Sequence, residues 1–356
     1  MSGLVRLHEA DSACGAKAAT LGRLLRAGMR VPGGVVVRDA ANEPWEAELP
    51  AALAAMGGTR FAVRSSADVE DSAEASFAGQ FLTRLDVPAD DVAAAVREVA
   101  TSRSRAAAYA DAVLRPMGNR IAVLVQPMLR PWAAGVAFTR NPVTGAPGTV
   151  VEAVRGLGEA LVDGRADPQR WEPGHGASLV CSGTPGVLTE GQALRVVEIA
   201  ERVEVLLGGP QDVEWALDDD GVIWVLQARP VTTGALDSSG PVDAAAAGPT
   251  SLRGTAAGPG TAHGPLRVLT GLDDFARFRA GDVLVCRSTS PAWVPVLSRA
   301  AGVVTEVGGI LAHAAIVARE LGIPAVTDVR AATDLPDGAL ARVDGTAGMV
   351  TLLEES

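Results

Sequence analysis

In TEVGGILAHAAIVARELGIPAV, from Thr305 to Val326, a histidine follows the glycine pair Gly308-Gly309 and opens a segment with helical spacing. The first amides of a helix have no intrahelical acceptor, and the helix dipole is positive at that end. A phosphoryl group carried on the ring of His313 would therefore have its added charge stabilised. A neutral imidazole is a competent nucleophile near pH 7. The chain has four histidines, and His8, His175 and His263 stand in turn-like or polar contexts that read as structural or exposed. A lone histidine on a helix is more often structural than catalytic, so the weight given to His313 depends on the residues that accompany it.

The basic residues supply the next clue. Lys17 is the single lysine among 31 lysines and arginines. Arginine and lysine serve alike on most surfaces, so a lysine kept against such a bias marks a place for a compact ammonium rather than a planar guanidinium. It lies in CGAKAATLGRLLRAGMRVPGG, where a glycine opens a helix and a Val-Pro-Gly-Gly turn follows it. Backbone amides at a helix start beside one flexible ammonium suit a phosphate. The spacing is not that of the G-x-x-x-x-G-K-[ST] loop.

Two further segments carry charge in a useful order. VRSSADVEDSAEASFAGQFLT, from Val63 to Thr83, places Arg64 at a strand end, where it can clamp phosphate oxygens in bidentate fashion. Gly79 in the same segment allows close backbone approach to a ligand. Asp68, Glu70 and Asp71 read as a solvated capping turn. DVEWALDDDGVIWVLQARP sets Glu214 on one strand, with Gln227 and Arg229 on its neighbour across the DDDG turn. Side chains two apart on a strand share a face. If Glu214 meets that face, a carboxylate and an amide oxygen can hold magnesium while Arg229 touches phosphate. Gly156-Leu157-Gly158-Glu159 only superficially suggests a dinucleotide loop, because G-x-G-x-x-G is incomplete there.

Elements must position these residues. Phe61–Ser66, Ile121–Met128 and Val222–Pro230 read as buried strands, and Asp91–Tyr109 and Glu190–Leu207 have helical spacing. Asp282–Ser288 and Gly302–Glu306 read as strands, and Ala312–Gly322 as a helix that stops before Pro324. Between Gly234 and Ser251 the composition turns small and proline-containing, as in a linker. The expected division is 1–233, linker 234–251, and 252–356.

Composition excludes several classes. The net charge of −11 lacks the basic stripe of a nucleic-acid binder. No apolar run is long enough for a membrane span, and the start has no secretory h-region. Three widely separated cysteines, Cys14, Cys181 and Cys286, suggest reduced thiols in a cytoplasm.

Taken together, these segments resemble the pyruvate phosphate dikinase, phosphoenolpyruvate synthase and rifampicin phosphotransferase family. GxKAxxLG with VPGG, VRSSAxxEDSxxxSFAGQ, and GGxxxHAAIVARELGIPAV carry the resemblance through most of the chain, in order. It implies an α+β, α/β multidomain fold: an ATP-grasp nucleotide-binding domain, a linker, and a swivelling β/α domain bearing the phosphorylated histidine. The matching nucleotide positions are Lys17, Arg64, Gly79, Thr83, Gln126, Glu214, Gln227 and Arg229. Glu214 and Gln227 would hold Mg²⁺, and adenine would lie near Gln126. The implied chemistry is attack by His313 on the β-phosphoryl group of ATP, with AMP and phosphate as eventual products.

The chain also departs from the family pattern. It ends at Ser356, after the histidine domain, so the pyruvate-binding barrel of the synthases is expected to be absent, as is the antibiotic-binding insertion. The stretch from Gly34 to Phe61 is short, Asn141 stands where aspartate is common, and Leu311-Ala312 replace the usual Thr and Ser or Cys before the histidine. The leading expectation is a compact phosphotransferase acting on a small-molecule or peptide acceptor. A second is the phosphohistidine subunit of a split synthase with its acceptor site on a partner polypeptide. A third, a non-catalytic nucleotide sensor, conflicts with the intact set from Lys17 to His313.

Overall fold

A computed structural model describes residues 3–40, 44–67, 82–101, 121–162, 166–174, 178–231, 251–310 and 312–353. Gly79, the acidic turn at Asp68, Glu70 and Asp71, residues 234–250 of the expected linker, His175 and Leu311 lie outside the described residues.

The chain runs through β1 (Leu4–Arg6), α1 (Ala16–Arg26), β2 (Val35–Val37), α2 (Leu49–Met56), β3 (Arg60–Ala67), β4 (Thr83–Pro88), α3 (Val92–Thr101), β5 (Ile121–Pro127) and β6 (Ala133–Arg140). It continues through β7 (Pro147–Arg155), β8 (Gln169–Pro173), β9 (Leu179–Gly183), α4 (Glu190–Leu207), β10 (Gln211–Leu217) and β11 (Ile223–Pro230). The last stretch holds β12 (Ser251–Arg253), β13 (Thr255–Gly258), β14 (Thr261–Val268), β15 (Val283–Cys286), β16 (Gly302–Thr305), α5 (His313–Leu321), β17 (Ala325–Thr327), β18 (Leu340–Asp344) and β19 (Met349–Leu352). The chain is thus a mixed α+β protein with several sheets. Each strand and helix read from the sequence is present within a few residues. Of the helix expected over Asp91–Tyr109, the part beyond Thr101 lies outside the described residues.

Two compact units form. The first comprises Met1–Thr139, Arg155–Leu157 and Leu188–Val231, and the second Arg140–Val154, Gly158–Val187 and Thr232–Ser356. In the first, a sheet of order β1-β2-β5-β3-β4 packs Val35, Val37, Phe61, Val63, Val123 and Val125 into a core with Trp45 and with apolar faces of α2 and α3. Strand β10 lies between β6 and β11, antiparallel to both. Thr189 begins α4 with a reciprocal capping box to Gln192.

In the second unit, β15, β16 and β17 run parallel beside β14, and Val283, Val285, Val304 and Val326 fill the core beneath them. Every residue of β15 and β16 is buried, as expected of parallel strands covered on both faces. Helix α5 makes the crossover from β16 to β17. Its start, and the turn after β15, therefore lie beyond the C-terminal ends of adjacent parallel strands, where open α/β sheets place their ligands. Antiparallel β7, β8 and β9 belong to this unit as well. No helix among the described residues is long and apolar enough to cross a membrane.

Candidate active site

The first unit gathers three of the expected nucleotide residues around one guanidinium. The register sets Glu214 opposite Gln227, and Asp212 opposite Arg229, so all four point to one face of the β10–β11 pair. A register shift follows Glu214, because Trp215 pairs with Val225 and leaves Leu226 without an opposite residue. A bulge of this kind takes one residue out of the ladder. Arg64 uses it: Nη1 donates to the Leu226 carbonyl at 2.6 Å. Its Nη2 donates to Gln227 Oε1 at 3.0 Å and lies 3.3 Å from Glu214 Oε2. Arg64, on β3 about 150 positions upstream, thereby meets both neighbouring strands β10 and β11.

Arg229 is aimed by a residue that the sequence reading did not single out. Its Nε and Nη2 both lie 2.8 Å from Oδ2 of Asp212, and both side chains are almost fully buried. The opposed positions in the DVEWA and QARP segments carry that signal, because antiparallel partners of opposite charge attract across a ladder.

Lys17 sits on the first turn of α1, 3% exposed, with Nζ donating to the Ser65 carbonyl at 3.3 Å. Ser66 fixes that turn: its Oγ donates to the Cys14 carbonyl at 2.8 Å and accepts the Ala18 amide at 3.0 Å. Gly15, at φ +79°, permits this packing, since a Cβ there would collide with the Ser66 carbonyl. One amide of the helix start is thus spent on a side chain of β3. The glycine serves helix–strand packing at least as much as any ligand.

Gln126 is buried on β5 opposite Ala62, and its Nε2 donates to the Pro32 carbonyl at 2.7 Å. The Val-Pro-Gly-Gly turn is therefore tied to the strand that bears Gln126. Thr83 is exposed on β4, opposite Arg64. Gly79 lies outside the described residues.

The fit of a divalent cation can be judged from the donors. Glu214 and Gln227 offer hard oxygens that already converge on one positive group, Arg64 Nη2. Mg²⁺ takes few protein ligands and completes its shell with phosphate oxygens and water. Among the described residues no cluster of three or more His, Cys, Asp or Glu would form a full protein cage. The Glu214–Gln227 pair fits a shared metal of this kind.

The second unit holds His313 at the first residue of α5, 4% exposed. Its Nδ1 lies 2.9 Å from Oγ1 of Thr289, which follows β15, while its Nε2 is buried and has no hydrogen-bond partner among the described residues. Burial lowers the imidazole pKa to about 4, so the ring is neutral at physiological pH. With Nδ1 protonated and donating to Thr289, Nε2 carries the free lone pair. Ala312 at the N-cap offers no side-chain acceptor to the helix start. Arg319, one turn and a half along α5, anchors the preceding loop by donating from Nη1 to the Ile310 carbonyl at 2.7 Å. His8 and His263 are exposed, and all three cysteines are free thiols. Thr289 was not foreseen, because nothing in its own segment marks it.

Comparison with known proteins finds two family models in succession along the chain, and their boundary does not coincide with that of the compact units. Residues 40–175 and 177–246 match the family model described as pyruvate phosphate dikinase, AMP/ATP-binding domain. Residues 278–348 match the model described as PEP-utilising enzyme, mobile domain. A probable phosphoenolpyruvate synthase of Archaeoglobus fulgidus is 37% identical over 81% of this chain and 43% of its own length. One from Pyrococcus abyssi is 37% identical over 81% of this chain and 40% of its own length. The phosphoenolpyruvate synthase of Pyrococcus furiosus is 36% identical, with the same shares covered. The chain spans less than half the length of these relatives.

Proposed function

Because the chain belongs to the pyruvate phosphate dikinase and phosphoenolpyruvate synthase family, we propose that it is an ATP-dependent phosphotransferase of the dikinase type that works through phospho-His313. The observation that carries this reading is the state of His313: Nδ1 held by Thr289, Nε2 unpartnered, and the ring neutral.

In this reading Arg64, Lys17 and Arg229 bind and orient the triphosphate, with Asp212 fixing the fork of Arg229. Mg²⁺ held by Glu214 and Gln227 would offset charge on the phosphate oxygens as the bond to AMP breaks. Gln126 would border the adenine, and Gly79 and Thr83 would complete the nucleotide set. Nε2 of His313 forms a bond to the β-phosphorus as the bridging oxygen leaves with AMP. Water takes the γ-phosphoryl group as phosphate, and the remaining phosphohistidine passes its group to an acceptor. As the Nε2–P bond forms the ring becomes cationic, and Thr289, accepting from Nδ1–H, stabilises that charge and receives the hydrogen bond until the Nδ1 proton leaves. The acceptor would be a small molecule or peptide.

The test is incubation with Mg-ATP labelled separately at the β and γ positions. One acid-labile phosphoryl group should appear on His313 from the β position, with AMP formed in step. His313→Ala should abolish labelling and leave ATP binding intact. No label on a folded, ATP-binding wild type would refute the proposal. AMP turnover that requires a second polypeptide would move the acceptor site to that partner.

A further inference from the structure

The loop that delivers His313 is gripped from two sources. Arg319 Nη1 binds the Ile310 carbonyl at 2.7 Å, and Thr327 Oγ1 donates to the Gly309 carbonyl at 3.4 Å. Both residues lie with the loop in the segment matched by the mobile-domain model. The other grip comes from 158 positions upstream. Glu152 on β7 accepts the Ile310 amide on Oε1 at 3.2 Å. A Cβ on Gly309 would lie 2.7 Å from both carboxylate oxygens, so the carboxylate rests against a surface that only glycine leaves open. Glu152 falls in the segment matched by the AMP/ATP-binding model, although it shares a compact unit with the loop.

We propose that Glu152 is a positioning residue that acts as a detachable clamp on the histidine loop: engaged, it holds the Gly309–Ile310 peptide and keeps Nε2 of His313 shielded, and disengaged, it frees the loop. Arg319 and Thr327 travel with the loop, whereas Glu152 belongs to a different stretch of chain and is the contact that can break.

The electrostatics make this clamp reversible. Glu152 is fully buried, and Oε2 has no hydrogen-bond partner among the described residues. Arg170 on β8 approaches Oε1 only to 3.5 Å with Nη1, while its Nη2 is committed to Glu172 at 2.8 Å. Burial pushes the carboxyl pKa up from 4.5. Arg170, the Ile310 amide and Arg319 oppose that rise, and Glu172 adds to it. Engagement therefore favours a bound proton. The clamp is strongest below the pKa of the solvated carboxyl and weakens as pH rises through the raised pKa of the engaged state. Glu152→Gln keeps an acceptor without the charge and should hold the loop at least as well as wild type.

The experiment uses the full chain without nucleotide. It follows carbethoxylation of His313 by diethyl pyrocarbonate and hydrogen exchange in the peptide spanning residues 305–311. Glu152→Ala should raise both rates by roughly tenfold, the effect of losing one buried hydrogen bond. Glu152→Gln should leave both at or below the wild-type rate. Between about pH 5 and about pH 8, where the His313 ring is already neutral, carbethoxylation of the wild type should rise with pH and that of Glu152→Gln should stay level. Unchanged rates in a folded Glu152→Ala variant overturn the clamp. So does a wild-type pH profile that coincides with that of Glu152→Gln, and this comparison decides alone if the alanine variant does not fold. Neither readout involves ATP. A failed clamp leaves the phosphotransfer reading standing, and absent labelling from Mg-ATP leaves the clamp standing.

Discussion

Oγ1 of Thr289 lies 2.9 Å from Nδ1 of His313 and joins the turns that follow two adjacent parallel strands, β15 and β16. The hydroxyl fixes the ring orientation, and when it accepts from Nδ1–H it leaves the lone pair on Nε2. Thr289→Val keeps the shape and removes the partner. Phosphohistidine formation from Mg-ATP should fall by roughly tenfold or more, with nucleotide affinity unchanged. Thr289→Ser should retain most of the rate. Equal labelling of the valine variant and the wild type would show that the ring is held by packing alone.

Burial of a neutral imidazole couples His313 to acid stability. Its pKa is lowered from 6.5 to about 4 by desolvation. Unfolding binds a proton in that window, so this contribution is complete above about pH 6.5 and is lost as pH falls toward 4. Its upper bound is roughly 3 kcal/mol. In denaturant titrations, the drop in stability between those limits should be smaller in His313→Gln than in wild type. Parallel curves would place the ring in solvent.

Arg64 meets three acceptors at once, the Leu226 carbonyl, Gln227 Oε1 and Glu214 Oε2. An ammonium cannot reproduce that fork. Arg64→Lys should keep the fold and weaken ATP binding by roughly tenfold in calorimetry. Glu214 is a third exposed, so the ion pair itself contributes little to stability. Wild-type affinity in the lysine variant would sink the bidentate argument.

Asp212 and Arg229 form an ion pair with both side chains buried. Breaking a buried ion pair by removing one side chain costs about 3–5 kcal/mol. Asp212→Ala should therefore lower the unfolding free energy more than Glu214→Ala, whose carboxylate is partly solvated. Similar losses in the two variants would contradict the burial argument.

Gly15 leaves room for the Ser66 carbonyl at a left-handed φ. Gly15→Ala should cost at least about 1–3 kcal/mol from backbone strain alone and should displace α1 with Lys17. Thermal unfolding and nucleotide affinity are expected to fall together. A stable variant that binds ATP normally would show that the turn can adapt.

Much of this arrangement is legible in the residues themselves. The period of two along β11 puts Gln227 and Arg229 on one face, and Gly308-Gly309 and Gly322 bracket the helix that His313 opens. Those are properties of one segment and its own backbone. The bulge at Leu226 was not legible, because it exists only in the pairing of β11 with β10 and follows from no pattern within either strand.

Sequence alone determined the residue types at each position and the direction of each side chain relative to its own strand or helix, since φ/ψ periodicity is local. It also carried the order of motifs that marks the family. Tertiary structure decided which charges meet. Arg64 reaches Glu214 across 150 positions, Thr289 reaches His313 across 24, and Glu152 reaches Ile310 across 158. Such contacts depend on strand register and on how crossover loops pack. These are set by the burial of whole cores rather than by the residues that finally touch.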